Sequence, residues 1–250
     1  MLENKDWLSY INLSDHYERK ARFLPALISV LFLLPVSATL GKSLDGWIST
    51  FAMGVGVSAA LAVGLSHLAS AAGNRLQQRV WPRWPYDAPT NQWLFPNDKN
   101  RSNQQKALWY AAIKRLTGLD VVAAADLNDD EIEKIINDAV TTLRYRLRDG
   151  KHADRLRVHN ADYGFTRNFA GLRFIWLPAS VLSCAGCFAS FYWTGRGIIW
   201  CAVSLVLLIT AFLLARTILP NYVCQKARHY AESFWSAVLE LDRDENGSAH

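Results

Sequence analysis

Residues 142–173, TLRYRLRDGKHADRLRVHNADYGFTRNFAGLR, carry Arg144, Arg146, Arg148, Lys151, Arg155, Arg157, Arg167 and Arg173 against only Asp149, Asp154 and Asp162. That surplus equals the formal net charge of the whole 250-residue chain, +5. The next twenty residues, FIWLPASVLSCAGCFASFYW (174–193), carry no charge at all. A basic segment that abuts such a run fixes which side of a membrane it occupies, and it also makes an anion-binding surface.

Outward from this stretch, apolar runs occupy residues 23–40, 47–72, 174–193 and 198–219, and none of them contains an acidic residue. Each approaches or exceeds the roughly 20 residues that a helix needs to cross a bilayer. The mean hydropathy of the chain is near zero only because these runs average with a strongly polar middle. The short loops at 41–46 and 194–197 hold few charges, whereas Lys and Arg gather in the tails and the centre. Cations accumulate on the cytoplasmic side, so both termini and the middle are expected in the cytoplasm of an inner-membrane protein. Little sequence remains outside to bind an extracellular ligand. An uncleaved first span is expected, although Lys20, Arg22 and Val36-Ser37-Ala38 imitate a signal peptide.

The expected fold is an all-α membrane protein, with two transmembrane hairpins (four spans) flanking a small helical cytoplasmic domain. Its divisions are an amphipathic N-terminal segment (1–22), hairpin 1 (23–72), a cytoplasmic domain (73–170), hairpin 2 (171–219) and an amphipathic C-terminal helix and tail (220–250). The last residues, from 242, are expected to fray. In the second span Thr50, Gly54, Ser58, Ala62, Ser66 and Ser70 recur every four residues, beside His67. Such a row either packs closely against a neighbouring helix or lines a pore at a symmetry axis.

The cytoplasmic part opens with NRLQQRVWPRWPYDAPTNQWLFP, whose prolines predict an extended strap. Its Trp81 and Trp84 either stack on nucleobases or anchor in the headgroup region. A helix should start after Ser102, with Gln105 three residues on, and stop at Gly118. Another should run from Asn128 to near Gly150, burying Ile132, Ile135, Ile136, Ala139, Val140, Leu143 and Leu147. Val223, Ala227, Tyr230, Phe234, Val238 and Leu241 mark a further amphipathic helix.

No nucleophile elbow, Walker loop, HExxH or dinucleotide fingerprint occurs, so nothing points to an enzyme or a cofactor. Cys184-x-x-Cys187 lacks a second ligand pair, and thiols on apolar helices act as small packing residues. His152, Asp154, His159 and Asp162 form the nearest metal-like pattern, but a solvated polar turn accounts for them better. The basic stretch is the better signal. Arg144 and Arg148 share a helix face while Arg146 points elsewhere, and Lys151, Arg155 and Arg157 extend the field. Arginine meets phosphate with planar, bidentate donors, which makes these five residues the candidate phosphate ligands.

Tyr163-Gly164-Phe165-Thr166-Arg167-Asn168-Phe169 stands directly before the third apolar run. With four spans in two hairpins around a cytoplasmic insert, the chain resembles the membrane effectors encoded beside nucleotidyltransferases in bacterial antiphage loci, those of the Hailong type. The resemblance implies a homo-oligomeric channel controlled by a nucleotide or single-stranded DNA oligomer made by the partner nucleotidyltransferase. Depolarisation and growth arrest would follow. It reaches Tyr163, Gly164, Phe165, Arg167 and Asn168 as a coupling joint, in which Gly164 permits a turn and Arg167 with Asn168 caps or tethers the insert. The alternatives are a non-channel scaffold that recruits a soluble partner protein and, less favoured, a membrane-tethered metal phosphodiesterase.

Overall fold

The computed structural model describes residues 17–39, 55–123, 129–148 and 152–247, and every regular element among them is helical. In chain order these are α1 (Leu24–Leu31), α2 (Leu34–Thr39), α3 (Val55–Val80), α4 (Pro89–Gln92), α5 (Asn103–Thr117), α6 (Asp129–Leu147), α7 (Ala153–Gly171), α8 (Arg173–Thr194), α9 (Ile198–Leu213) and α10 (Leu219–Gly247). Short π-helical stretches, Glu18–Phe23 and Leu214–Ile218, precede α1 and join α9 to α10. The chain divides into two compact units. One comprises Met1–Leu76 with Gly164–Val223, the other Gln77–Tyr163 with Cys224–His250.

In the first unit, α8 and α9 form a hairpin that turns at Gly195 and Gly197, whose φ values of 66° and 88° suit residues without a Cβ. Two helices among the described residues are long and apolar enough to cross a membrane: α8, and the continuous helical run Ile198–Asn246. The expectation of four spans is therefore met for two. The run 23–40 does not make one helix but two, of 8 and 6 residues, separated at Phe32 and Leu33. Pro35 explains the break, since it has no N–H to offer the Leu31 carbonyl and its ring crowds that turn. The run 47–72 is described only from Val55, where α3 begins.

Inside this unit the buried polar residues include Ser180, Ser183, Ser204, Thr166 and Asn168. Ser180 and Ser204 donate to carbonyls of their own helices, those of Leu177 (2.7 Å) and Cys201 (2.9 Å). Ser183 Oγ accepts the Val36 N–H at 3.3 Å and so ties α2 to α8. Trp176 is fully buried between Phe32 and Phe169, and its indole N–H donates to the Phe169 carbonyl at 2.9 Å. Outward stand Val181, Leu182, Phe188, Leu205, Val206, Ile209 and Phe212.

The second unit has a large aromatic and aliphatic core. Trp93, Trp109 and Trp235 stack in series, with centroids 6.3 and 5.1 Å apart, amid Leu94, Ile113, Ile136, Leu143 and Phe234. The expected α6 stripe is there: Ile132, Ile136, Ala139, Val140, Leu143 and Leu147 are buried and Ile135 is partly so. Helix α5 begins and ends as its sequence predicts. Ser102 Oγ accepts the Gln105 N–H at 3.2 Å, and Gly118 closes the helix at φ 78°. Such an N-cap contributes about 1 kcal/mol. Lys106 is buried because its ammonium donates to the carbonyls of Phe95, Pro96 and Asp98.

Two expectations fail in this unit. The proline-rich strap is not extended: residues 82–87 form successive turns, followed by α4. Pro82 occupies the second position of a turn closed by Trp84 N–H to the Trp81 carbonyl (3.1 Å), where its fixed φ is an advantage. Nor does the C-terminal segment fray at Asp242, since α10 continues to Gly247. Asp242 is buried and takes two hydrogen bonds from Arg115, from Nε at 2.8 Å and from Nη2 at 2.5 Å.

Candidate phosphate-binding site

The last turns of α6 place Arg144 and Arg148 four residues apart on one face, and both line a cavity of about 340 Å³. The first turns of α7 supply its other wall, with Ala153, Leu156, Arg157 and Asn160 at the i, i+3, i+4, i+7 spacing of one helical face. Tyr230 of α10 and Tyr145 of α6 complete the lining. Among the described residues neither Arg144 nor Arg148 makes an ion pair. Arg157 donates to the Arg148 carbonyl at 2.9 Å and stands 3.7 Å from the exposed Asp154. Three guanidinium groups around one concavity repel one another, and a bound anion relieves that repulsion.

Arg146, His152 and Arg155 are engaged by the acidic end of α10. Arg146 turns away from Arg144, donating to the Leu116 carbonyl and to Glu245 (2.9 Å). His152 presents one ring nitrogen to Glu240 (3.0 Å) and the other to Asp244 (2.8 Å). Arg155 meets Glu240 at 3.3 Å. Expected among the phosphate ligands, it stands two residues beyond Ala153, off the α7 face that lines the cavity. Lys151 falls outside the described residues.

The Trp81 ring is 9 % exposed, packed against Trp84 (6.0 Å) and edge-on to Tyr163 (6.2 Å). Trp84 is 36 % exposed. Tyr145 and Asn160 were not among the residues expected from sequence. An aromatic ring between Arg144 and Arg146 was the available signal for Tyr145, whereas Asn160 and Tyr230 come to the site only through packing.

The five residues of the presumed joint fall on α7, which runs unbroken through them, so Gly164 does not turn the chain. A Cβ there would stand 2.8 Å from the Ala21 Cβ, so glycine is needed for close approach. Asn168 is fully buried, donates to the Ala21 carbonyl at 2.6 Å and accepts from Arg167 Nε at 3.2 Å. These bonds join Arg167, Asn168 and Ala21 within the first unit. Phe165 stacks on Phe169 at 5.9 Å. Tyr163 belongs to the second unit, where its hydroxyl donates to Gln77 Oε1 at 3.0 Å.

Of the small-residue row, Thr50 and Gly54 lie outside the described residues, and Ser58 and Ala62 lie where α3 is described by backbone alone. Ser66 and Ser70 are half-buried, and His67 is exposed.

Protonation within the second unit follows burial and pairing. The hydrogen bonds from Arg115 hold the Asp242 carboxyl below the usual carboxylate range. Burial pushes His159 below the ordinary imidazole value, with Asp162 opposing and Lys226, His229 and Arg155 assisting. Its Nδ1 is buried without a hydrogen-bond partner among the described residues. Among those residues no group of three or more His, Cys, Asp or Glu side chains is arranged to hold a metal ion. No protein-family model, curated protein or solved structure matches the chain.

Proposed function

We propose that this protein is a membrane-embedded effector whose polar unit binds a phosphate-bearing ligand, a nucleotide or a single-stranded DNA oligomer. The observation that carries the reading is the cavity rimmed by Arg144, Arg148 and Arg157, with the first two unpaired among the described residues. Charge-assisted hydrogen bonds from arginine to phosphate are the strong class, and none of the described residues that line the cavity is acidic. Membrane embedding is supported by α8 and the helical run that begins with α9, which combine sufficient length with an outward apolar surface. The remaining elements rest on the likeness to antiphage membrane effectors. They are four spans, an oligomeric inner-membrane channel with cytoplasmic termini, a partner nucleotidyltransferase, and depolarisation as the outcome. Binding rather than catalysis is the activity in this reading.

The full chain in lipid nanodiscs should bind short single-stranded DNA oligomers or nucleotides at low salt. Affinity should fall as salt rises, through counterion release. The double variant Arg144→Gln/Arg148→Gln should lose about tenfold or more, since hydrogen bonds to charged groups contribute about 1.5–3 kcal/mol each. Absence of binding to both ligand classes at low salt would sink the reading. Ion flux from liposomes tests the channel separately, and bilayers that stay sealed with every bound ligand favour the scaffold.

A further inference from the structure

The arginine-rimmed cavity is too small to track a nucleic-acid strand. Its volume of about 340 Å³ lies at the lower end of small-molecule sites, about 300–1,000 Å³. Grooves that follow single strands instead cover about 4–16 nucleotides.

Its lining is also divided by chemistry. Arg144, Arg148 and Arg157 are cationic, Leu147 and Leu156 are apolar and buried, and Tyr145 and Tyr230 are aromatic. A bare phosphate would engage the arginines and leave the apolar and aromatic surfaces wet. A long polyanion would need cations strung along a groove. Arg146 and Arg155, the cations flanking this site, are instead matched to Glu245 and Glu240. A ligand with one phosphate and one flat ring fits every part of the lining.

We infer that the cavity seats a single nucleotide unit, its phosphate on the three arginines and its base against Tyr145 and Tyr230. The Asn160 amide supplies one donor pair and one acceptor toward a base edge. A DNA oligomer is then held by one nucleotide, with the rest of its chain outside the cavity. This inference rests on the phosphate reading above and adds the ring to it.

The test compares ribose 5-phosphate, a nucleoside 5′-monophosphate and a short DNA oligomer as ligands of the full chain in nanodiscs. The monophosphate should bind on the order of tenfold tighter than ribose 5-phosphate, the advantage of one base stacked on an aromatic ring. Tyr145→Ala should bring the monophosphate down to about the affinity of ribose 5-phosphate. The side chain is 70 % exposed, so its removal leaves the fold intact. Equal affinity for the monophosphate and ribose 5-phosphate overturns the base-binding inference while the phosphate reading stands. So does binding of the oligomer without binding of the monophosphate. If none of the three probes binds at low salt, the phosphate reading itself fails and the inference with it.

Discussion

The two compact units differ most in what they turn outward. The first keeps Ser180, Ser183, Ser204 and Asn168 inside and turns Leu182, Val206 and Phe212 outward. The second keeps tryptophan, isoleucine and leucine inside, and its surface is laced with pairs such as Arg115–Asp242 and Arg146–Glu245. Both obey the same helical period, so the difference lies in the medium each outer surface suits. Soluble monomers rarely expose contiguous apolar patches beyond about 300–600 Å². Hydrocarbon around the first unit, as proposed above, would remove that penalty, and small hydroxyl residues that bond to their own helices would pack closely inside it.

The largest way to break the contrast is to empty the second unit's core. Trp235 is 1 % exposed, stacks on Trp109 and donates to the Thr90 carbonyl at 3.2 Å. Trp235→Ala should cost about 3–5 kcal/mol, read from denaturant unfolding followed by near-ultraviolet circular dichroism. A loss below about 1 kcal/mol would mean that the core is not continuous there.

A charge on the first unit's outer face separates the two media. Val206 is 62 % exposed. In water Val206→Lys should change stability by less than about 0.5 kcal/mol. At the centre of a membrane helix it should cost about 2.5–3.5 kcal/mol. The expected result is a marked drop in the amount of chain recovered in alkali-washed membranes, and wild-type recovery would remove the proposed distinction.

The smallest effect expected is a pH dependence in the second unit. The His159 pKa is lowered by folding, so below its ordinary value of about 6.5 the unfolded chain binds more protons than the folded one. Stability is therefore fully present above that value and declines as pH falls from 7 towards 5. The melting temperature should fall over that interval, and the fall should be shallower in His159→Gln. Parallel curves for the two proteins would assign the dependence to other groups.

Much of the second unit was legible because its signals are local. Ser102 with Gln105, Gly118, and the isoleucine stripe of α6 each act within a few residues. Arg144 and Arg148 could be paired from their spacing alone, and Arg146 could be set aside by the same rule. The contact of Arg155 with Glu240 could not be read in the same way, because the two lie 85 residues apart in sequence. The same holds for Asp242, which the charge pattern left in a frayed tail until Arg115 supplied its partner. In the first unit, hydropathy marked the α8–α9 hairpin correctly. It missed the interruption at Phe32 because a running average does not register the N–H that Pro35 lacks.

The second unit is discontinuous in sequence, and that has a consequence for synthesis. Its core needs Phe234, Trp235 and Val238, and its cavity needs Tyr230, while residues 164–223 between its two parts belong to the other unit. A ribosome must therefore deliver every apolar helix before the cavity can close. A chain released early would carry the apolar helices α8 and α9 but no finished cavity.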